Sequence, residues 1–298
     1  MPLDNLRITA VESRRDLKKF IKLPYQLYRS DPHWIPPLFF ERRDLIDPKK
    51  NPYFEHAQVQ LFLASRNGKT IGRISAQLDQ EYEKFHGERL GHFGFLEVEE
   101  NPETASALIQ AAEEYLKALG ISRMVGPFNY SINQESGLLI DGFDQPLMIM
   151  TPYNPPFYAT FLENMGLKKV KDIFAWHFPV GPVPSDPQEI ANEVKKQDGV
   201  SIRSVDLKNF HQDFKTMIDV FNSAWSKNWG YVPWTDKEIK TVAKEMKIIL
   251  DPEVTLSQPL AVTALTGIDA LSHAMESFVT TKRNTLAQMF AIEGWKLL

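Results

Sequence analysis

QVQLFLASRNGKTIGRISAQL, residues 58–78, is the stretch on which the fold turns. Gln58 to Ala64 and Thr70 to Leu78 flank Asn67-Gly68. Asn-Gly supplies the positive φ angles of a two-residue type I′ turn, so the stretch predicts an antiparallel hairpin. Upstream, Leu6 to Val11 alternates Leu6, Ile8 and Ala10 against polar neighbours and reads as a short strand. Glu12-Ser13 then open a helical stretch with Leu17, Phe20, Ile21, Tyr25 and Tyr28 near helical spacing. Pro24 is expected to kink that helix or split it in two. Downstream, Gly94 to Val98 is a further strand. Asn101-Pro102 begins a helix that runs to Leu119 and stops at Gly120, with Ala105, Leu108, Ala112, Tyr115 and Leu116 on its buried face. Ser122 to Val125 reads as the next strand, Phe157 to Met165 as a helix ending at Gly166, and Phe174 to Phe178 as a last strand. This order predicts an α/β (α+β) unit, a mixed sheet flanked by helices.

Composition narrows the function classes. The 298 residues carry 34 basic and 38 acidic side chains, a net charge of −4, which gives no electrostatic case for a nucleic-acid partner. The absence of cysteine excludes disulfide scaffolds, thiolate metal sites and cysteine nucleophiles. No apolar run approaches the ~20 residues of a membrane helix, and Met1-Pro2-Leu3-Asp4 does not open a signal peptide. The expectation is a cytoplasmic protein with a small-molecule substrate and no membrane partner.

A second pattern follows the first. Pro179 to Pro187 holds four prolines, and residues 181–188 read as a linker. Beyond it, Val200 to Val205 reads as a strand and Phe210 to Trp225 as a helix, then comes the turn Trp229-Gly230-Tyr231-Val232-Pro233-Trp234. This echoes the opening unit, with Ile202 answering Ile8 and Tyr231-Val232-Pro233 answering Trp34-Ile35-Pro36, as a weak internal repeat. No hairpin follows Ile249, so the second unit is expected to break off. The division is residues 1–180, a linker at 181–188, a truncated unit at 189–250 and a helical segment at 251–298.

The element order, and the wording Asp31-Pro32-His33-Trp34-Ile35-Pro36-Pro37-Leu38, Phe54-Glu55-His56-Ala57, Gly126-Pro127-Phe128-Asn129 and Met150-Thr151-Pro152-Tyr153-Asn154-Pro155-Pro156, resemble a bacterial family of GNAT-like N-acetyltransferases. The resemblance runs from about residue 5 to 252. It implies a GNAT-like sheet, acyl-CoA-dependent N-acyl transfer, and acetyl-CoA held by its pyrophosphate on backbone N–H groups at a helix N-terminus. The corresponding junction here is Glu99-Glu100-Asn101-Pro102-Glu103-Thr104, with three acids, no glycine and a proline without an N–H. The usual pyrophosphate loop is absent, and the chain is expected to be catalytically incomplete.

A polar pocket is expected from Asn129, Asn133 and Glu135 with Asp141, Tyr153 and Asn154, whose amides and carboxylates beside aromatics suit a polar amine or acyl group. The alternative is that these residues hydrogen-bond their own irregular backbone. His56, His86 and His92 show no metal-ligand spacing and read as surface or loop residues.

Residues 251–298 resemble a different family. Asp251-Pro252-Glu253-Val254-Thr255-Leu256-Ser257-Gln258-Pro259 and Thr263-Ala264-Leu265-Thr266-Gly267-Ile268-Asp269-Ala270-Leu271-Ser272-His273-Ala274-Met275-Glu276 are similar to iron-containing (group III) alcohol dehydrogenases. The resemblance implies that Asp269 and His273 are metal ligands, and an i, i+4 pair does set a carboxylate and an imidazole on one helical face. No histidine follows His273 and no G-x-G-x-x-G occurs, so iron or zinc would have only two ligands. Thr285 to Leu298 carries an apolar face of Leu286, Met289, Phe290 and Leu297, a route to self-association. The two resemblances meet at Leu250-Asp251-Pro252-Glu253, as in a chimera. Three readings stand: a GNAT-like N-acyltransferase, a fragment of an NAD(P)-dependent alcohol dehydrogenase, and a non-catalytic fusion.

Overall fold

A computed structural model of the chain describes residues 5–147, 150–175 and 208–250, with a few single positions between 189 and 206. Two compact units emerge. One comprises the residues up to Ile173 with Ile218–Glu238; the other comprises Phe174–Met217 and the residues from Ile239. The predicted linker 181–188, the strand Val200 to Val205 and the whole segment 251–298, with Asp269 and His273, lie outside the described residues. Of the predicted strand Phe174 to Phe178, Phe174 and Ala175 are described, and neither is in a strand.

The first unit is built on a five-stranded mixed sheet of order β1 to β5. β1 is Leu6–Ala10, β2 Ala57–Arg66, β3 Lys69–Asp79, β4 Gly91–Val98 and β5 Met124–Val125. The first four pair antiparallel, and β5 lies parallel to β4. The hairpin turn is as predicted, with φ of 50° at Asn67 and 78° at Gly68. The parallel return needs a crossover, supplied by α4, Pro102–Ala118. Asn101 caps α4 by accepting from the Thr104 N–H at 2.9 Å. Ile74, Phe93, Leu96, Leu108, Ala112 and Leu116 form the core on this face of the sheet.

The other face is covered by α1, Arg14–Leu27, and α2, Phe39–Ile46, with Phe20, Tyr53, Leu63, Phe95 and Tyr130 packed together. The expected break at Pro24 does not occur: α1 runs through it to Leu27. Proline deprives the carbonyl four residues earlier of its helical donor. That carbonyl belongs to Phe20, and the buried Arg73 guanidinium donates to it at 2.7 Å. A side chain from β3 thus replaces the missing rung of the helix.

Four further helices are described. α3 is Gln80–His86, capped by Asp79; α5 is Phe157–Asn164, ended by Gly166 at φ 89°. α6, Phe210–Trp225, matches its prediction, and α7 spans Asp236–Leu250. No described helix is long and apolar enough to cross a membrane.

β5 is shorter than the predicted Ser122 to Val125. It pairs with β4 only at Gly91–Met124 and His92–Val125, and the chain then departs through the cis Gly126–Pro127 bond. The Phe128 N–H donates to the Phe93 carbonyl at 2.7 Å as it leaves. The backbones meet so closely that a Cβ on Gly94 would stand 1.7 Å from the Phe128 carbonyl oxygen. Beyond this point the β4 edge has no partner strand among the described residues, and side chains serve it. Asn129 Oδ1 accepts from the Phe95 N–H at 2.7 Å, and the Tyr158 hydroxyl accepts from the Val98 N–H at 2.6 Å.

Candidate active site

β4 carries a bulge where it runs beside β3: the register shifts between Arg73 and Ser75, and Phe95 takes a φ of 47°. A bulge re-aims the side chains that follow it. After it, Glu97 pairs across the sheet with Arg73 and turns to the α1 face. Its carboxylate accepts a short hydrogen bond from the Tyr28 hydroxyl, and Arg73 Nη2 lies 3.6 Å away. Burial pushes the Glu97 carboxyl up to about 7, against the opposing pull of Arg73 and Tyr28. Desolvation dominates here because the charged form has lost its water.

Two tyrosines frame this carboxylate. The Tyr28 hydroxyl lies 3.2 Å from that of Tyr158, which also donates to the Val98 carbonyl at 3.1 Å. Burial raises both phenols above their ordinary range, with the Glu97 charge adding to it, so each remains a hydrogen-bond donor at neutral pH. The Arg73 guanidinium stacks over Phe20 at 4.8 Å and Phe95 at 5.6 Å from the ring centroids. Tyr28 and Val98 open onto a groove of about 380 Å³ whose other walls include Leu27, Asp31, Glu99, Glu100 and Phe157. A base poised near neutrality beside proton donors at a groove is suited to proton transfer from a bound nucleophile.

The α4 N-terminus borders the same groove, and it does not fit a pyrophosphate. Pro102 has no N–H, the Thr104 N–H is occupied by Asn101, and Glu99 and Glu100 line the approach. Two phosphates would meet acids and a depleted donor set there.

The sequence-predicted residues are distributed among separate roles. Asn129 and Glu135 come together: Asn129 Nδ2 donates to Glu135 at 2.7 Å, and Arg42 grips the same carboxylate with both guanidinium nitrogens. Asn133 donates to the Val232 carbonyl at 2.9 Å. Asn154 accepts from the Leu139 N–H at 2.8 Å and returns a bond to the Leu139 carbonyl. The Tyr153 hydroxyl donates to Asp31 at the groove rim, and Asp141 sits in an exposed turn, accepting from the Gly142 N–H at 2.9 Å.

Sequence reasoning does not single out Glu97, Tyr28, Tyr158 or Arg73 as site residues. The available signal is the alternation Arg73, Ser75, Gln77, Asp79 along β3, a polar row that suggests a solvent face. All four of that row are buried.

The histidines also differ from expectation. His56 and His92 are buried rather than on the surface. His56 Nδ1 meets Asp79 at 2.9 Å and Nε2 meets Glu238 at 3.3 Å. Burial works to lower this histidine, but its hydrogen bonds to the two carboxylates prevail and raise it to about 9. His92, whose Nδ1 has no partner, is pushed down to about 4 by burial. It lines a separate cavity of about 20 Å³, room for one water. His86 is exposed and meets the Tyr231 carbonyl at 2.8 Å. Among the described residues there is no group of three His, Asp or Glu able to hold a metal ion.

Comparison with known proteins places these features. No family model matches the chain. The bacterial ceramide synthase of Caulobacter vibrioides is 38% identical over 306 residues, covering 100% of this chain and 79% of that protein. Protein YghO of Escherichia coli is 38% identical over 244 residues, 81% of this chain and 62% of its own length. The NAD-dependent methanol dehydrogenase of Bacillus methanolicus is 42% identical over 50 residues, 17% of this chain and 13% of that enzyme. Among solved structures, an aminoglycoside acetyltransferase from an uncultured soil metagenomic sample is 14% identical with a TM-score of 0.36, covering 59% of this chain and 97% of its own. The glucosamine-6-phosphate N-acetyltransferase of Arabidopsis thaliana is 13% identical with a TM-score of 0.35, covering 59% of this chain and 100% of its own.

Proposed function

The chain belongs to the family of the bacterial ceramide synthase, and from that premise we propose that it is an N-acyltransferase joining an acyl thioester to the amine of a long-chain amino alcohol. Ceramides are amides of that kind, and the site around Glu97 suits their formation. The single observation that carries the reading is a buried carboxylate, raised to about 7, hydrogen-bonded to Tyr28, which lines the groove and meets the Tyr158 hydroxyl. An ammonium group entering past Asp31, Glu99 and Glu100 meets attractive charge, while Leu27, Pro32 and Phe157 offer an apolar wall to its chain. Glu97 takes a proton from the nitrogen, whose lone pair then attacks the thioester carbonyl. The carbon–nitrogen bond forms, the carbon–sulfur bond breaks, and the second proton of the nitrogen passes through the Tyr28–Tyr158 hydroxyl pair to the leaving thiolate, so that both phenols end as they began. Any coenzyme A pyrophosphate is held elsewhere than the α4 N-terminus.

Purified chain incubated with a long-chain acyl-CoA and a sphingoid base should yield the amide, measured by mass spectrometry. Glu97→Gln should lower kcat by about 10²- to 10⁴-fold. The wild-type rate should rise with pH through about 7, and the variant should lose that limb. Amide formation at an undiminished rate in Glu97→Gln, or none in the wild type, refutes the assignment.

A second reading concerns residues 251–298. The 50-residue likeness to a methanol dehydrogenase supports a segment of dehydrogenase descent, joined near Leu250-Asp251-Pro252-Glu253. The likeness to the ceramide synthase along 100% of the chain speaks for continuity instead. Sequencing the source DNA across codons 245 to 258 decides between them, and bound iron or zinc with NAD(P) turnover would support Asp269 and His273 as ligands.

A further inference from the structure

The α1–α2 loop and the first turn of α2 present an apolar prong to solvent. Ile35 is 55% exposed, Leu38 54%, Phe39 38% and Phe40 57%. Single exposed apolar residues are ordinary, but four within six positions make a contiguous patch. The prong is held rigidly. Pro36 and Pro37 restrict its backbone, the Tyr25 hydroxyl donates to the Pro37 carbonyl at 2.5 Å, and Trp34 packs edge-on against Tyr25 at 5.4 Å.

Charge around the prong indicates what covers it. Residues 11–50 hold ten basic and six acidic side chains in a chain whose net charge is −4. On α1, Arg14, Lys18 and Lys22 recur at one-turn spacing and are exposed, as are Arg15 and, beside the prong, Arg29. Of the six acids in this region, Asp16 is paired with Lys19, Asp44 with Arg43 and Lys50, Asp31 accepts from Tyr153 and Asp47 from the Lys49 N–H, while Glu12 is exposed just before α1. Glu41 alone is exposed within the prong's own helical turn. Aromatic and aliphatic side chains beside a local excess of cations match an anionic lipid interface, where the chains enter the headgroup boundary and the cations meet phosphate. We propose that the Ile35–Phe40 prong, with the cations of α1 and Arg29, docks the protein peripherally on an anionic phospholipid bilayer. The lack of a membrane-spanning run is no obstacle, since surface docking needs none.

The placement also serves access. Leu27, Ser30, Asp31 and Pro32 form one wall of the groove and lead directly into the prong. An amphiphile leaving the bilayer at the prong meets the groove next.

The test is flotation of the full chain with vesicles of phosphatidylcholine alone or with about a third phosphatidylglycerol. Flotation should occur with the anionic vesicles and weaken in high salt. Lys18→Ala and Lys22→Ala should each lower anionic partitioning about fivefold. Ile35→Ser with Phe40→Ser should abolish flotation while leaving the circular dichroism and melting curve unchanged, since both side chains are exposed. Absence of flotation, equal flotation with neutral vesicles, or undiminished flotation of the Ile35→Ser/Phe40→Ser protein overturns the proposal. Capture of an acidic soluble protein without flotation also overturns it. The assay requires no turnover, so it stands or falls separately from the acyl-transfer reading.

Discussion

Glu97 shows how a strand can hold a carboxyl far from its ordinary protonation range. A glutamate in the interior of an apolar strand sheds its water on folding, and a single guanidinium at 3.6 Å only partly restores what is lost. Arg73 is not free to do more, because one of its nitrogens holds the Phe20 carbonyl. The same residue scale governs Gly94, where no side chain fits. A Cβ there would overlap the Phe128 carbonyl oxygen at 1.7 Å, an obstacle of backbone rather than of a movable side chain. Gly94→Ala should therefore cost the protein about 3 kcal/mol or more, read as soluble yield and chemical denaturation. Gly68→Ala meets nothing within 4 Å and should be penalised only for its positive φ, by about 1 kcal/mol. Equal tolerance of the two changes would contradict the close approach.

At the scale of elements, the passage of α1 through Pro24 depends on β3. Removing the Arg73 side chain strands the Phe20 carbonyl in a buried position, so Arg73→Met should destabilise the protein by about 3 kcal/mol. Pro24→Ala restores the helical N–H for that carbonyl. In a denaturation double-mutant cycle the two changes should couple by about 1 kcal/mol, with the second softening the first. Strict additivity would mean that the guanidinium does not substitute for the helical donor. The elements themselves were largely legible. Asn67-Gly68, the Asn101-Pro102 helix start and the Gly120 and Gly166 stops are local signals that tertiary structure had no reason to override. The passage through Pro24 was not legible, because its compensation lies 49 positions away. The burial of the polar row on β3 was not legible for a related reason: alternation tells which residues share a face, while the covering loop at Phe128 and Tyr130 decides whether that face is wet. Gln77 donates to the carbonyls of both. Glu97 sat in plain view between Leu96 and Val98, and only its burial distinguished it.

For the whole molecule, three buried titrating groups set a pH dependence. Glu97, raised to about 7 from 4.5, contributes stability that is full at low pH and is lost as pH rises through 7. His56, raised to about 9 from 6.5, contributes stability that is full below 6.5 and is lost as pH rises through 9. His92, depressed to about 4, works oppositely and costs stability as pH falls from 6.5 to 4. The melting temperature should therefore peak in mildly acidic solution and decline between pH 6.5 and 9 by calorimetry. A melting temperature that climbs over that interval would exclude the buried charge states described. His56 also joins β3 to the Glu238 end of the returning segment, so His56→Leu should flatten the decline above pH 7.

Among the described residues, the edge of β4 at Val98 is met by a phenol and not by a strand. One hydroxyl thus answers both the N–H and the carbonyl of Val98, a task that a strand would share between two residues. The last rung of the sheet is held in place by a side chain of α5, and its integrity passes to the packing of that helix.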